Sequence, residues 1–289
     1  MKGRAVITGA DGGMGMEITR AVASAGYEVI MLCYDAQSGI ACRNKIVKET
    51  GNDRIRVRQV DLSDMYLVWK AAQRLLNDNI PIRLLMNNAG TMCTHFQLTP
   101  DGLERTVAVN YVAPYLLTRM LLPLMEEGTR VVCMVSCTYA IGKITPEFLT
   151  RGKKGCFWRI PIYSNTKLAL WLFVRKLALL VKEKGILVNA ADPGIVSTDI
   201  IRMDMWFDPL TDIFFRPFIR TPKQGAATAI HLLLDELPEG TTGKMFASCK
   251  ERNLSEKYLQ HPQMDSLWKD TEDYLREECK TELQQINNY

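Results

Sequence analysis

Tyr163 and Lys167 stand four residues apart in the stretch Ile162-Tyr163-Ser164-Asn165-Thr166-Lys167. On a helix, residues at that spacing share one face, one turn apart. A free tyrosine hydroxyl gives up its proton near pH ~10. A cation held beside it favours the phenolate and lowers that value, so the pair can donate and accept a proton near neutral pH. The same spacing also arises by chance on many helices, so the surrounding chain has to decide its meaning.

A second group lies near the N-terminus. Ala5-Val6-Ile7 is followed by Thr8-Gly9-Ala10-Asp11-Gly12-Gly13-Met14-Gly15, then by a helical pattern of Ile18, Val22 and Ala25 stopped by Gly26. Strand, glycine loop and helix in that order are the setting of a dinucleotide-binding turn. Glycines let the backbone approach a pyrophosphate, and the helix start offers free N–H groups and a positive dipole end. Farther on, Asp61-Leu62-Ser63-Asp64 follows another apolar run. Asp61 reads as an acceptor for an adenine amino group; the competing reading is a helix start, for which Ser63 or Asp64 is suited.

The elements that must position these groups alternate regularly. Further strands are expected at 28–33, 55–60, 83–86, 130–135 and 186–190. Helices are expected at 38–50, at 103–122 with Asn110 inside, and from about 161 to 184, closed by Gly185. Short, uninterrupted apolar strands alternating with helices predict an α/β fold whose parallel sheet is covered on both faces. Ligands of such sheets bind beyond the carboxyl ends of the strands. The glycine loop, Asp61, Asn87-Asn88-Ala89-Gly90, Ser136 and Asp192-Pro193-Gly194 all fall at those ends. No linker or repeat interrupts the chain, so residues 1–289 are expected to form a single domain.

Composition excludes several classes. A hydrophobic share of 47% and a charged share of 24% fit a soluble globule with a sizeable core. A net charge of +4, and a basic run limited to Arg151-Gly152-Lys153-Lys154, argue against a nucleic-acid partner. Eight cysteines without a Cys-x-x-Cys pair and three scattered histidines predict no metal site. The N-terminus enters a strand at once, and Leu116 to Met125 is broken by Arg119 and Pro123. The expectation is a cytoplasmic protein without a signal peptide or transmembrane segment.

With Thr8 to Gly15, Asn87-Asn88-Ala89-Gly90, Asn110, Ser136, Tyr163-x-x-x-Lys167 and Pro193-Gly194 in this order, the chain resembles the short-chain dehydrogenase/reductase family. The likeness spans roughly residues 4 to 250 and implies a doubly wound parallel sheet of Rossmann type. Ile141-Gly142-Lys143-Ile144, the insert before Tyr163, Thr221-Pro222-x-x-Gly225-Ala226 and Gly243-Lys244-x-Phe246-x-x-Cys249-Lys250 look like the retinol dehydrogenase-like branch. That branch interconverts retinoid and other lipophilic alcohols with their aldehydes or ketones, usually with NADP(H). Its membrane enzymes carry an N-terminal anchor that is not expected here.

The resemblance implies roles. Tyr163 is the general acid in reduction and the general base in oxidation, and Lys167 lowers its pKa and holds the nicotinamide ribose. Ser136 hydrogen-bonds the substrate oxygen, and Asn110 holds a water in the proton relay. The cofactor is expected against Thr8, Gly9, Asp11, Gly13, Met14, Gly15, Cys33, Tyr34, Asp61, Leu62, Asn88, Ala89, Gly90, Pro193, Gly194, Val196 and Thr198, beside Tyr163 and Lys167. Trp206, Phe207, Phe214, Phe215 and Phe218, with Pro209 and Pro217, suggest a mobile lid at about 199–220 over an apolar ligand. Packing on the domain's own surface, or contact with a membrane, are the competing readings. In the tail at about 255–289, Leu267, Trp268, Tyr274, Leu275 and Cys279 recur at helical spacing. That face could dock on the body or on a second copy of the chain.

Two further functions compete with a dehydrogenase of lipophilic substrates. One is a catalytically silent NAD(P)H sensor or scaffold, which would not need Ser136, Tyr163 and Lys167 together. The other is a sugar-nucleotide dehydratase or epimerase, for which the chain is short. Cofactor choice is read at the end of the second strand, where an acid accepts from the ribose 2′-OH and a base pairs with a 2′-phosphate. That corner is Cys33-Tyr34-Asp35. The resembling branch tends to show Cys-Arg-Asp there, so Tyr34 replaces the arginine. Cys33 stands where NAD enzymes carry Asp, Asp11 opposes a phosphate, and Arg43 is the nearest downstream cation. The balance favours NADP(H) over NAD(H).

Overall fold

Each central strand feeds two cores, because successive side chains point to opposite faces. In β1 (Arg4–Thr8) Val6 enters one core, while Ala5 and Ile7 enter the other. In β2 (Glu28–Cys33) Ile30 and Leu32 go one way, and Val29, Met31 and Cys33 the other. A strand buried on both faces reads as a continuous apolar run, which is why the sequence shows no polar alternation.

The computed structural model describes residues 2–150, 157–196 and 220–278. Thr198, the aromatic cluster expected to form a lid, Cys156 and the tail from Cys279 onward lie outside the described residues. The remaining strands are β3 (Ile55–Gln59), β4 (Ile82–Asn87), β5 (Met125–Met134), β6 (Leu187–Asp192), β7 (Met245–Ala247) and β8 (Lys250–Glu251). They form one sheet in the order β3-β2-β1-β4-β5-β6-β7-β8, parallel except for the β7–β8 pair. The chain runs outward from β1 to β3 and then returns to β1's other side at β4. A crevice opens at such a reversal. The short β7 and β8 were not expected from the sequence.

Helices α1 (Gly13–Ser24), α2 (Ala36–Thr50) and α7 (Pro222–Leu234) supply the second core. Helices α3 (Met65–Asp78), α4 (Arg105–Val107), α5 (Ala113–Leu121), α6 (Arg159–Leu180) and α9 (Met264–Glu278) supply the first, with the short α8 (Glu256–Leu259) beside them. The sequence predicts one regular helix over 103–122. The structure instead places a π-helical turn, Ala108–Val112, between α4 and α5. Its Ala113 N–H reaches back five residues to Ala108 O. Pro114 accounts for the irregularity: it has no N–H to give the carbonyl four residues earlier, which is that of Asn110.

That helical run bears on the expectation of no transmembrane segment. Arg105–Leu124 is long and apolar enough to cross a membrane by length and composition. Its apolar surface is already used, since 83% of the window is buried inside the chain's own core. The tail also finds its partner on the body. In α9, Trp268 stacks on Phe173, the Thr271 and Tyr111 hydroxyls lie 2.7 Å apart, and Glu272 pairs with Arg119 at 2.9 Å.

The competing readings of Asp61 and its neighbours separate here. Asp64 is the N-cap of α3 and accepts from the Leu67 N–H at 3.1 Å. Replacing it with alanine should cost about 1 kcal/mol of stability and about 2 °C of Tm for a chain of this size. Calorimetry with a nucleotide titration checks this: Tm falls and nucleotide affinity holds.

Candidate active site

The end of β1 is built for close approach. Gly9 has a φ of +58°, and a Cβ placed on it would lie 3.0 Å from the Ala89 Cα. A Cβ on Gly15 would lie 1.9 Å from the Gly9 carbonyl oxygen and 2.9 Å from the Asn88 Nδ2. Thr8 ties this loop to the end of β4: its Oγ1 accepts from the Asn88 and Ala89 N–H groups, 3.0 Å each. The Asn88 Nδ2 donates in return to Thr8 O at 3.1 Å and Gly9 O at 3.0 Å. Helix α1 starts at this loop with Gly12 as N-cap and neither a side-chain cap nor an acid in its first turn. Its amino end is therefore a ready site for an anion.

A cleft of about 520 Å³ opens over the loop. Of the residues expected to hold a cofactor, Gly9, Asp11, Gly13, Met14, Gly15, Tyr34, Asp61, Leu62, Asn88, Ala89 and Gly90 line it. Gly12, Leu32, Ser38, Val60, Thr91, Arg105 and Val109 line it as well and were not expected. The apolar pair Val60 and Leu62 and the carboxylate of Asp61 suit an adenine base. The loop a Cβ would fill suits a pyrophosphate. The residues present therefore fit a nicotinamide dinucleotide.

Several expected residues sit elsewhere. Thr8 lies beneath the cleft as a tie. Cys33 is fully buried, its thiol near enough to Asp11 to feel the carboxylate's charge. Burial, then the Asp11 charge, pushes that thiol's pKa up. Cys33 shares the parity of Val29 and Met31, so it faces the core and not the ribose corner. Asp35 caps α2 by accepting from the Ser38 N–H at 2.7 Å, which holds its pKa down. Arg43 does not line the cleft. Pro193 and Gly194 form the turn after β6, where Asp192 accepts from the Gly194 N–H at 3.0 Å. Val196 is buried, and its side chain lies where a Cβ on Gly225 would fall.

Beside Gly90 the chemistry-bearing residues converge. A Cβ on Gly90 would lie 3.5 Å from both the Asn110 Oδ1 and the Lys167 Nζ. Lys167 Nζ is 5.5 Å from the Tyr163 ring centroid and donates to Met134 O at 2.9 Å. Ser136, two residues past β5, stands close enough to the Tyr163 hydroxyl to act on its proton affinity. The segment carrying Ser136 is pressed onto α6 at Gly142, where a Cβ would fall 2.4 Å from the Ser164 carbonyl oxygen.

Asn110 is fully buried, and both ends of its amide are engaged. Oδ1 accepts from the Thr91 N–H at 2.7 Å, and Nδ2 donates to Thr91 O at 2.8 Å and Thr166 Oγ1 at 3.1 Å. The side chain thus pins the loop after β4. What Pro114 leaves without its usual helical donor is the Asn110 main-chain carbonyl. A proline four residues downstream was the sequence signal for this.

The electrostatics differ from expectation in one respect. Burial pushes the Tyr163 hydroxyl up to about 12, despite the opposing influence of Ser136. Burial pushes the Lys167 ammonium down to about 8, against the raising influence of Cys133 and Asp192. Lys167 was expected to lower the Tyr163 pKa. Instead desolvation dominates the hydroxyl, and the Lys167 ammonium is turned to the Met134 carbonyl. Tyr163 therefore holds its proton at neutral pH, as a donor, and Lys167 is cationic below about pH 8.

This geometry has counterparts. The family model described as short chain dehydrogenase matches residues 4–205. Retinol dehydrogenase 12 of Mus musculus is 35% identical over 265 residues, covering 91% of this chain and 83% of that protein. Polyprenol dehydrogenase of Danio rerio is 31% identical over 277 residues, covering 92% of this chain and 84% of that one. Among solved structures, the chain is similar to a blue fluorescent protein from a metagenomic library in complex with NADPH. The TM-score is 0.66 at 25% identity, with 85% of this chain and 95% of that chain covered.

Proposed function

The chain belongs to the short-chain dehydrogenase family, an oxidoreductase that works on alcohols and carbonyls with a nicotinamide cofactor, and from that premise we propose that it interconverts a lipophilic alcohol with its aldehyde or ketone, Tyr163 acting as general acid and base. The observation that carries this reading is the convergence of Tyr163, Ser136 and Lys167 beside Gly90, next to the dinucleotide cleft.

The bound cofactor supplies or accepts the hydride at its nicotinamide ring. In reduction, the Tyr163 hydroxyl gives its proton to the carbonyl oxygen, and in oxidation it takes the proton back. Ser136, beside Tyr163, donates to the same oxygen and holds it in reach. Lys167 keeps a positive charge against the phenolate that forms, and the Asn110 main-chain carbonyl offers an acceptor for a proton-conducting water.

The substrate class rests on the loops that flank the site. Ile141 follows Ser136 and is 64% exposed, and Trp158, one turn before the catalytic turn of α6, is 71% exposed. Ile195, after the Pro193-Gly194 turn, is 44% exposed. Large apolar side chains left open on loops around a site mark an apolar ligand. The names of the retinol and polyprenol dehydrogenase relatives point the same way.

The test is a panel of aldehydes and ketones of increasing apolar size, followed by the absorbance of NADPH. At ~0.8 kcal/mol per buried methylene, kcat/KM should rise roughly fourfold per added carbon until the surface is filled. Cofactor binding without turnover across the panel would favour the sensor reading instead.

A further inference from the structure

The end of β2 lacks the basic residue that would pair with a 2′-phosphate, yet a cation reaches this corner from another element. Arg105, at the start of α4, holds its guanidinium 5.7 Å from the centroid of the Tyr34 ring. Both line the dinucleotide cleft, as does Ser38 at the start of α2. Arg105 is the one cation among the described residues lining that cleft.

Three neighbouring carboxylates have hydrogen-bond partners of their own. Glu104 accepts from the Val107 N–H and the Thr106 hydroxyl, 3.1 Å each. Asp61 accepts from the Ser63 N–H at 2.8 Å and its hydroxyl at 2.7 Å. Asp35 caps α2. Among the described residues no carboxylate forms an ion pair with Arg105. A guanidinium that stacks on an aromatic face keeps its planar fork of donors free at the edge, and that fork matches a phosphate.

We propose that Arg105, held over the Tyr34 ring, is the residue that recognises the 2′-phosphate of NADP(H) in this chain. The cation that sequence reasoning sought at the end of β2 comes instead from the helix that faces it across the cleft. Tyr34 acts as the platform for the guanidinium. This assignment rests on the nicotinamide dinucleotide reading above and sharpens it to one ribose substituent.

The test uses the purified full chain and two fragments that differ only in the phosphate, adenosine 2′,5′-bisphosphate and 5′-AMP, titrated by calorimetry. The parent should prefer the bisphosphate by about 10- to 100-fold, the worth of a hydrogen bond to a charged group. That preference should shrink as ionic strength rises. Arg105→Gln should bring the ratio of affinities close to one. Tyr34→Leu should reduce it partway, and that variant keeps the charge, so a fall there reports the platform. An unchanged ratio in Arg105→Gln overturns the assignment. A parent with no preference overturns it too, and in that case carbonyl reduction with NADH would leave the oxidoreductase reading standing. A parent that binds neither fragment removes both.

Discussion

Tyr163→Phe is expected to lower turnover by about 100- to 10,000-fold, the usual worth of a placed acid or base, while cofactor affinity stays close to the parent's. Phenylalanine keeps the ring beside Lys167 and removes only the hydroxyl that meets Ser136. Steady-state rates and a cofactor titration on the same preparation check both halves. Parent-like turnover would remove Tyr163 from the chemistry. The pH dependence carries a third part. Lys167 is charged below about 8 and neutral above it. The folded-state pKa is lowered by burial, so the charge is lost as pH rises. Carbonyl reduction should therefore decline through that range. A profile flat to pH 10 would separate Lys167 from the proton transfer.

Gly15→Ala is expected to weaken dinucleotide binding by about 10- to 100-fold. The added methyl would meet a main-chain carbonyl at 1.9 Å, and a backbone atom cannot turn aside as a flexible side chain can. Overpacking of this kind costs about 1–3 kcal/mol, and each 1.4 kcal/mol is about tenfold in affinity. Gly12 provides the contrast: a Cβ there would lie 3.5 Å from the same carbonyl, an ordinary contact, and its φ of −70° suits any residue. Gly12→Ala should therefore cost clearly less than Gly15→Ala. Equal losses in the two variants would mean that the loop responds to lost flexibility and not to the clash.

What was legible in the sequence was local or repeated. The strands announced themselves because both faces of a parallel sheet are buried, so their residues are apolar without interruption. The loop from Thr8 to Gly15 was legible because glycine is the residue that lets one backbone approach another, and Tyr163 and Lys167 because helical spacing fixes a shared face. Ser136 and Asn88 were placed by order along the chain, and the sheet's topology brought them where that order implied.

What the tertiary structure decided is where side chains turn once elements from distant parts of the sequence meet. Cys33 belongs to a core face by strand parity, so Tyr34 alone of the two reaches the cleft. Of Ser63 and Asp64, it is Asp64 that caps α3. The Tyr163 pKa was misjudged because spacing reports proximity to Lys167 but not desolvation, which is a property of everything packed around the pair. Arg105 could not be found at all by reading the end of β2. It is 71 positions away from Tyr34 in the sequence, the difference between 105 and 34, and only the packing of α4 beside the β1–β4 crevice sets its charge over that ring.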